Sequence, residues 1–300
     1  MSKIHQAIRR AEKEGQDLIQ RSQVRRAILE DGRKETVEPR TRQEPIVQEF
    51  QNQETSPSRR FEAGEYSALS IPPDSKLVAL GAQKSVAGEQ YRALKAKIFQ
   101  MQQVNGLKSL LVTSPCVSDG KTLTATNLAL TIAQEIDVRV LIVDGDLRRP
   151  SVHKCLGVSH PRGLSDFLAS RCSLEQIVLK TELQNFSLVQ AGPIPDNPTE
   201  LLNSKRMRTF LTHASENFNW VILDSPPIVA LADAELLASM VNGVLLVVRA
   251  FQTPADLLAK SIESLSGKNL LGIVLNCYED EKTRTYSYYY TNGVGASPEA

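Results

Sequence analysis

The chain has 300 residues, of which 41% are hydrophobic, so it is long enough for one large buried core or two smaller ones. Its formal net charge of +1 excludes a strong global attraction to nucleic acid or to acidic substrates. Because the basic residues form no stripe with interleaved aromatic side chains, we expect no nucleic-acid partner. The most apolar run, residues 243–250, is far shorter than the roughly 18 residues of a membrane span, and the N-terminus has no apolar signal core. These features predict a cytoplasmic protein that can still associate with a membrane surface.

The N-terminal quarter of the chain differs in composition from the rest. Residues 1–30 place Ile4, Ile8 and Ala11 at helical spacing among an excess of basic side chains, which predicts a basic amphipathic helix. Two interpretations of this helix stay open: a solvated helix without a partner, or a helix that docks to an anionic membrane face or to another protein. Residues 31–75 are polar and show no sustained hydrophobic period, so we predict a disordered linker there.

Residues 76–283 have the pattern of one α/β domain. A helical stretch at about 85–103 precedes short Val-, Ile- and Leu-rich runs that alternate with amphipathic segments. The six runs are residues 109–114, 138–144, 186–192, 220–227, 243–250 and 270–276. Such runs are typical of strands buried on both faces, and the gaps between them are long enough for crossover helices. The predicted fold class is therefore α/β, with a mostly parallel sheet covered by helices on both faces.

A polar tail, residues 284–300, follows the α/β domain. Seven tyrosines occur in the whole chain, and four of them are clustered in this tail. They are Tyr286, Tyr288, Tyr289 and Tyr290. We predict that the tail is flexible, and an aromatic edge strand or a sticky end is the alternative that the cluster alone leaves open.

A strand, a loop and a helix follow one another at residues 109–133, and the loop has the features of a phosphate site. Gly120 allows the backbone to approach a phosphate, Lys121 can reach the outer phosphates, and the hydroxyl of Thr122 can ligate Mg²⁺. The usual signature has a glycine five residues before Gly120, and Pro115 occupies that place here. An accidental Gly-Lys-Thr sequence at a helix start is the alternative.

Three aspartates lie at the ends of two other predicted strands. Asp144 and Asp146 lie at the carboxyl end of the second apolar run, and Asp224 lies in the fourth. Because ligands of open parallel sheets bind beyond the carboxyl ends of the strands, we expect these carboxylates to face the same crevice as the phosphate loop. Such carboxylates, together with substrate phosphates, are the ligands that Mg²⁺ prefers, although an isolated strand-end aspartate is commonly a helix cap.

With these motifs in the same order, the sequence resembles the bacterial tyrosine kinases (BY-kinases) of capsule and exopolysaccharide synthesis, which are P-loop proteins related to the MinD/ParA-type ATPases. The resemblance covers about residues 85–290. "VTSPCVSDGKTLTATNLA" resembles the family's Walker A motif, "VLIVDGDLRRP" its second aspartate motif and "VILDSPP" its Walker B motif. "AGPIPDNPTELLNSKRM" and "EQYRALKAKI" resemble a further family segment and the helix that packs neighbouring subunits into a ring. The resemblance thus implies a P-loop NTPase-type sheet.

The resemblance also implies roles for individual residues. Catalysis would involve Lys121, Asp144 and Asp146. The two aspartates would divide metal binding and polarisation of the incoming tyrosine hydroxyl between them, and which aspartate has which role stays open. The nucleotide would contact Ser118, Asp119, Gly120, Lys121, Thr122, Leu123 and Asn276. Mg²⁺ would be held by Thr122, Asp146 and Asp224. The tail tyrosines would be autophosphorylation sites, and Glu89, Arg92 and Lys95 would contact the next subunit.

Two positions depart from the family pattern. The family loop has glycine two residues before Gly120, where this chain has Ser118. If that position has a positive φ, serine costs about 1–2 kcal/mol there. The ring helix of the family reads Glu-x-x-Arg-x-x-Arg, and here its third residue is Lys95, which keeps the charge but lacks the bidentate geometry of arginine.

The function implied by the resemblance is that of an ATP- and Mg²⁺-dependent protein-tyrosine autokinase, which phosphorylates its own tail in trans and regulates exopolysaccharide or capsule polymerisation and export. Its implied partners are further copies of itself in a ring, a separate membrane polysaccharide co-polymerase (a chain-length regulator) as activator, and a tyrosine phosphatase. We expect the protein at the inner face of the plasma membrane, bound through that activator. The alternatives are a non-catalytic nucleotide-binding scaffold of the export complex and a MinD/ParA-type ATPase switch.

Overall fold

The structure, a computed structural model, describes residues 64–80 and 85–278. The predicted N-terminal helix, the linker up to residue 63 and the tyrosine-rich tail lie outside the described residues. Within them, none of the helices combines the length and the apolar character that a membrane crossing requires.

The described elements alternate between strands and helices along most of the chain. The strands are β1 (Glu65–Tyr66), β2 (Ser109–Thr113), β3 (Val140–Asp144), β4 (Leu179–Lys180), β5 (Phe186–Val189), β6 (Trp220–Asp224), β7 (Gly243–Arg249) and β8 (Leu270–Asn276). The helices are α1 (Val86–Asn105), α2 (Lys121–Ala133), α3 (Val152–Leu156), α4 (Leu164–Leu168), α5 (Pro198–Leu202), α6 (Lys205–Asn217), α7 (Ala232–Ala238) and α8 (Ala255–Ser264). A 3₁₀ turn at Val78–Leu80 precedes α1.

The strands form one sheet in the order β1-β4-β5-β3-β6-β2-β7-β8. Neighbouring strands are parallel throughout, except that β4 is antiparallel to β5. Each of the six apolar runs contains one of the strands β2, β3, β5, β6, β7 and β8, so the prediction of a mostly parallel α/β sheet is confirmed. In this order β2 lies between β6 and β7, which decides what can surround the phosphate loop.

Both faces of the central strands are buried, which is why their sequences are almost continuously apolar. On β2, Leu110 and Val112 point to one layer of the core and Leu111 points to the other, because successive side chains alternate across a sheet. The first layer contains side chains of α1, α2 and α3, and the second contains side chains of α4 to α8. Trp220 is fully buried in the first layer, against the ring of Phe99. The sheet is therefore covered by helices on both faces, as predicted.

Ordered structure begins earlier than the predicted domain boundary at residue 76. Glu65–Tyr66, inside the segment predicted as linker, form β1 and pair in parallel with β4. Further along the segment, the N–H of Ser70 donates to the carbonyl of Leu156. Two-residue strands carry no periodic pattern, and for this reason neither β1 nor β4 was visible in the sequence.

Helix α1 matches the helix predicted at about 85–103. The hydroxyl of Ser85 accepts a hydrogen bond from the N–H of Gly88, which caps the first turn of this helix. The helix ends at Gly106, whose left-handed backbone directs the chain into β2. The length of α1 thus follows from a start signal and a stop signal that both lie in the local sequence.

Candidate active site

The phosphate loop connects the end of β2 to the first residue of α2. Gly120 has φ 96° and ψ 20° immediately before this helix. A side chain at position 120 would be strained by this backbone and would collide with the side-chain amide of Asn276. The free N–H groups and the positive dipole end of α2 lie at the loop, as they do at anion sites on helix N-termini. Glycine is therefore favoured at this position by its conformation, and a larger residue would also have to displace the side chain of Asn276.

Ser118 also has a positive φ, of 65°, within the same loop. A residue with a side chain is unfavourable in this left-handed region, so the loop carries a strain that a glycine would not have. Serine nevertheless occupies this position, and its carbonyl accepts a hydrogen bond from the guanidinium of Arg249.

The cationic end of Lys121 lies between two of the predicted carboxylates. Its Nζ is 3.1 Å from Oδ2 of Asp146 and 3.8 Å from Oδ1 of Asp224. The hydroxyl of Thr122 donates to Oδ2 of Asp224 at 2.6 Å and accepts from the hydroxyl of Ser151 at 3.0 Å. The structure therefore brings together residues from β3, β6 and the start of α2, as the sheet-edge argument predicted.

Asp144 has a different environment from Asp146, although the two are only two residues apart. Its carboxylate is fully buried and accepts hydrogen bonds from the backbone N–H groups of Asp146, Ser151 and Val152. Two of these N–H groups belong to the start of α3, so Asp144 acts as a cap of that helix. The cap interpretation that the sequence left open thus describes the contacts of Asp144.

Burial dominates the acid–base properties of this site. Burial raises the pKa of Asp144, and the neighbouring charge of Asp224 raises it further. Burial likewise raises the pKa of Asp224, although the ammonium of Lys121 and the Thr122 hydroxyl oppose the shift. For Lys121, burial lowers the pKa, but Asp224 and Asp146 more than compensate, so the pKa is raised overall. The lysine is therefore held as a cation beside Asp224, whose carboxyl group resists ionisation.

The donor set fits Mg²⁺. Oδ1 of Asp224 is buried and has no hydrogen-bond partner among the described residues, and such an oxygen is available to a hard cation. Thr122 and Asp146 add oxygen atoms beside it. Within residues 64–80 and 85–278, no group of three or more His, Cys, Asp or Glu side chains could hold a metal unaided. Mg²⁺ usually takes one or two carboxylates and completes its shell with waters and substrate phosphates, so a protein cage is not needed.

On the other side, the loop is restrained by side chains from the ends of β7 and β8. The side-chain amide of Asn276 donates to the carbonyl of Asp119 at 2.9 Å. The guanidinium of Arg249 donates to the carbonyl of Ser118 at 3.1 Å. The hydroxyl of Thr253 donates to the carboxylate of Asp119 at 2.9 Å. Sequence reasoning found Asn276 through the family resemblance and missed Arg249 and Thr253, which lie in no phosphate-binding motif.

Arg148 follows Asp146 closely in the sequence and binds side chains outside the phosphate loop. Its guanidinium donates to the buried carboxylate of Asp233 at 2.7 Å and to the hydroxyl of Thr199 at 2.8 Å. The Thr199 hydroxyl also donates to Asp233, at 2.6 Å. These contacts fasten the loop after β3 to the starts of α5 and α7.

The remaining predicted site residues lie in the first turn of α2, along α1 or outside the described part. Leu123 is half-buried and packs against the core beneath α2. Glu89 and Arg92 form an ion pair along α1, and Lys95 pairs with Glu135 at the end of α2. The four tail tyrosines lie outside the described residues.

Comparison with known proteins places this site in a family. A family model described as an AAA domain matches residues 118–261. The chain is 36% identical over 217 residues to the tyrosine-protein kinase YwqD of Bacillus subtilis (strain 168), which covers 72% of this chain and 91% of that protein. It is 32% identical over 209 residues to the putative tyrosine-protein kinase CapB of Staphylococcus aureus, with coverage of 69% and 91%.

A solved structure shows the same relationship. The kinase domain of the Escherichia coli tyrosine kinase ETK superposes with a TM-score of 0.65 at 29% identity, covering 73% of this chain and 91% of that one. Similarity of sequence over most of the relatives' length agrees here with similarity of fold. The chain belongs to the family of bacterial tyrosine-protein kinases.

Proposed function

We propose that the protein is an ATP-dependent tyrosine autokinase that phosphorylates the cluster Tyr286, Tyr288, Tyr289 and Tyr290 on the tail of a neighbouring copy. One observation carries the proposal: Lys121, Thr122, Asp146 and Asp224 meet within hydrogen-bond or ion-pair distance at a glycine-containing loop before a helix. A buried lysine and buried carboxylates beside free backbone N–H groups suit a polyanion with its cation. Family membership supplies tyrosine as the acceptor.

The order of the strands supports one orientation of the nucleotide. The carboxylates stand at the ends of β3 and β6, on one side of β2, whereas Asn276 stands at the end of β8, on the other side. We therefore place the outer phosphates and Mg²⁺ at Asp146 and Asp224, and the nucleoside end toward Asn276. Ser118, Asp119, Gly120 and Leu123 would surround the phosphates between these ends.

The proposed reaction transfers the γ-phosphoryl group of ATP to a tyrosine hydroxyl. A bond forms between the phenolic oxygen and the γ-phosphorus, the bond from that phosphorus to the bridging oxygen breaks, and ADP leaves. Asp144 and Asp146 would share metal binding and polarisation of the tyrosine hydroxyl, and the phenolic proton passes to one of these two carboxylates. Mg²⁺, when bound, neutralises phosphate charge. Lys121 adds a second positive charge, and Thr122 and Asp224 would hold Mg²⁺ beside the phosphates.

We further propose that phosphorylation occurs in a ring of copies and controls polysaccharide polymerisation and export. Glu89, Arg92 and Lys95 would line the contact between copies, on the face of α1. Each phosphate adds about −1.5 to −2 charges to the tail, so a phosphorylated tail would be repelled by acidic groups and would loosen the ring. A membrane co-polymerase would act as activator at the inner face of the plasma membrane, and a tyrosine phosphatase would reverse the modification.

The test is a phosphotyrosine map of the full chain after incubation with Mg-ATP. We expect modification within residues 286–290, and we expect Lys121→Met to abolish it. A variant with the four tail tyrosines changed to phenylalanine serves as the matched acceptor control, because it keeps the ring volume and removes only the hydroxyls. A wild-type protein that binds ATP without forming phosphotyrosine would contradict the kinase proposal and favour the scaffold.

Mixing two variants tests transfer between copies. The Lys121→Met chain keeps its tail and lacks activity, whereas the phenylalanine-tail chain keeps its active site and lacks acceptors. Phosphotyrosine on the Lys121→Met chain in the mixture supports transfer in trans, and its absence contradicts it.

Deleting residues 1–30 tests the docking interpretation of the N-terminal helix. Unchanged recruitment to membranes that carry the co-polymerase would count against a role for that helix.

A further inference from the structure

The phosphate loop is restrained by two side chains, Arg249 and Thr253, that belong to neither the phosphate loop nor the aspartate motifs. Arg249 is the last residue of β7, and Thr253 lies in the short connection between β7 and α8. We call this pair the β7 clamp. Both residues are far from the loop in sequence and reach it only because β7 lies beside β2 in the sheet.

The contacts of the β7 clamp form a continuous path from β7 to the loop backbone. The hydroxyl of Thr253 accepts from the N–H of Arg249 at 2.9 Å and donates to Oδ1 of Asp119 at 2.9 Å. The other carboxylate oxygen of Asp119 accepts from the N–H of Cys116 at 2.9 Å. Separately, the guanidinium of Arg249 donates to the carbonyl of Ser118. The clamp therefore holds the loop at its start, at Ser118 and at Asp119.

The loop needs such a restraint because Ser118 is held with φ 65°. A serine with this backbone tends to relax to a negative φ, which would turn the neighbouring peptide groups away from the phosphate position. The bond from Arg249 is made to the carbonyl of the strained residue itself. In a loop with glycine at this position, the same conformation would be adopted without help.

We propose that Arg249 and Thr253 are positioning residues, which keep the strained phosphate loop in the shape that receives the phosphates of ATP. The inference rests on the proposed use of this loop as an ATP site. It predicts that the clamp acts on nucleotide affinity through Ser118 and Asp119, without contacting the nucleotide. A merely structural role would lower stability, and a direct charge contact would not depend on the residue at position 118.

The experiment measures the dissociation constant of Mg-ATP by calorimetry on the full chain. We expect Arg249→Met to weaken binding roughly 5- to 30-fold, the ratio that corresponds to the 1–2 kcal/mol of strain at Ser118. Thr253→Val should weaken binding less, and Thr253→Ser, which keeps the hydroxyl, should restore it. We expect KM for ATP to rise by the same factor as the dissociation constant, with kcat at saturating ATP and the melting temperature without nucleotide nearly unchanged.

The decisive comparison repeats Arg249→Met in a Ser118→Gly background. We expect the loss of affinity to shrink to about twofold or less, because glycine removes the strain that the clamp opposes. An equal loss in both backgrounds would overturn the inference and indicate a direct contact between Arg249 and the nucleotide. A melting temperature that falls in parallel with affinity would also overturn it. Failure of the wild-type chain to bind Mg-ATP would instead reject the proposed function, so the two failures are distinguishable.

Discussion

On the β6 side of the phosphate loop the contacts are made by buried charges, whereas on the β7 side they are made by hydrogen bonds to the loop backbone. Lys121 faces Asp146 and Asp224 on the first side, and burial raises the pKa of Asp224. Arg249 and Asn276 donate to loop carbonyls on the second side. The buried carboxylates repel one another in the protein without ligand, which is unfavourable. The hydrogen bonds to the loop carbonyls, in contrast, are already formed without ligand.

The difference indicates that the two sides serve separate tasks. The β6 side carries buried charged groups that would interact with the phosphates and with Mg²⁺. It should therefore govern the chemical step. The β7 side sets the shape of the loop, and so it should govern affinity. Substitutions on the two sides should therefore separate in kcat, in stability and in KM for ATP.

The largest effect is expected for Asp224→Asn. Loss of the carboxylate that is proposed to hold Mg²⁺ should lower the rate of autophosphorylation by at least about 100-fold. The protein without nucleotide should be no less stable, because a buried carboxylate is replaced by a neutral group of the same shape. Phosphotyrosine formation and urea unfolding measure the two quantities. Asp137→Asn, at an exposed position between α2 and β3, is the control for loss of a negative charge. An active Asp224→Asn protein would remove Asp224 from the site.

The second prediction concerns the pH dependence of stability without nucleotide and Mg²⁺. An aspartate with a raised pKa keeps a proton in the folded state that the unfolded chain has already lost. The contribution of Asp144 to stability is therefore fully present below the ordinary pKa of 3.8 and is lost as the pH rises through about 7, the pKa of Asp144 in the folded protein. Urea unfolding between these values should show the fall. The fall should be smaller in Asp224→Asn, because burial still raises the pKa of Asp144 but the charge of Asp224, which raises it further, is gone. Equal pH profiles of the two proteins would contradict the electrostatic coupling of the pair.

A smaller effect is expected for Asn276→Ala on the β7 side. Loss of one hydrogen bond to the loop should raise KM for ATP about three- to tenfold, with kcat nearly unchanged. Asn269→Ala provides a matched control. The Asn269 side chain also donates to a backbone carbonyl, at 2.6 Å, but it lies at the opposite end of β8, before the strand begins. A similar rise in KM in both variants would mean that damage to β8, and not to the loop, is being measured.

The smallest effect is expected for Ser118→Gly alone. Removing the left-handed strain should stabilise the protein by about 1 kcal/mol and tighten ATP binding by a factor of a few. Ser170 has a similar φ, of 62°, outside the site. Ser170→Gly should therefore give a comparable stabilisation in thermal unfolding with no change in ATP affinity. If both substitutions changed ATP affinity equally, the strain at Ser118 would have no special connection with nucleotide binding.

Three features could be predicted from the sequence alone: the long buried strands, the loop before α2, and the edge of the sheet at which the carboxylates meet. These features depend on local patterns: continuous apolar runs, a Gly-Lys-Thr sequence and aspartates at strand ends. Because parallel strands end at one edge of their sheet, the meeting of Lys121, Asp146 and Asp224 followed from the pattern without any knowledge of strand order. The positive φ at Ser118 was considered only as a condition, because the resembled family has glycine at this position.

The strands that flank the phosphate loop could be identified only from the tertiary structure. The order β6-β2-β7 depends on how the helices pack on the two faces, which no local pattern records. For this reason Arg249 and Thr253, about 130 residues beyond Ser118 and Asp119, escaped prediction although they hold both residues. The pairing of β1 with β4 escaped prediction for the same reason. Each depends on a contact between distant segments, and the energy of such a contact is set by the assembled fold rather than by the residues on either side of it.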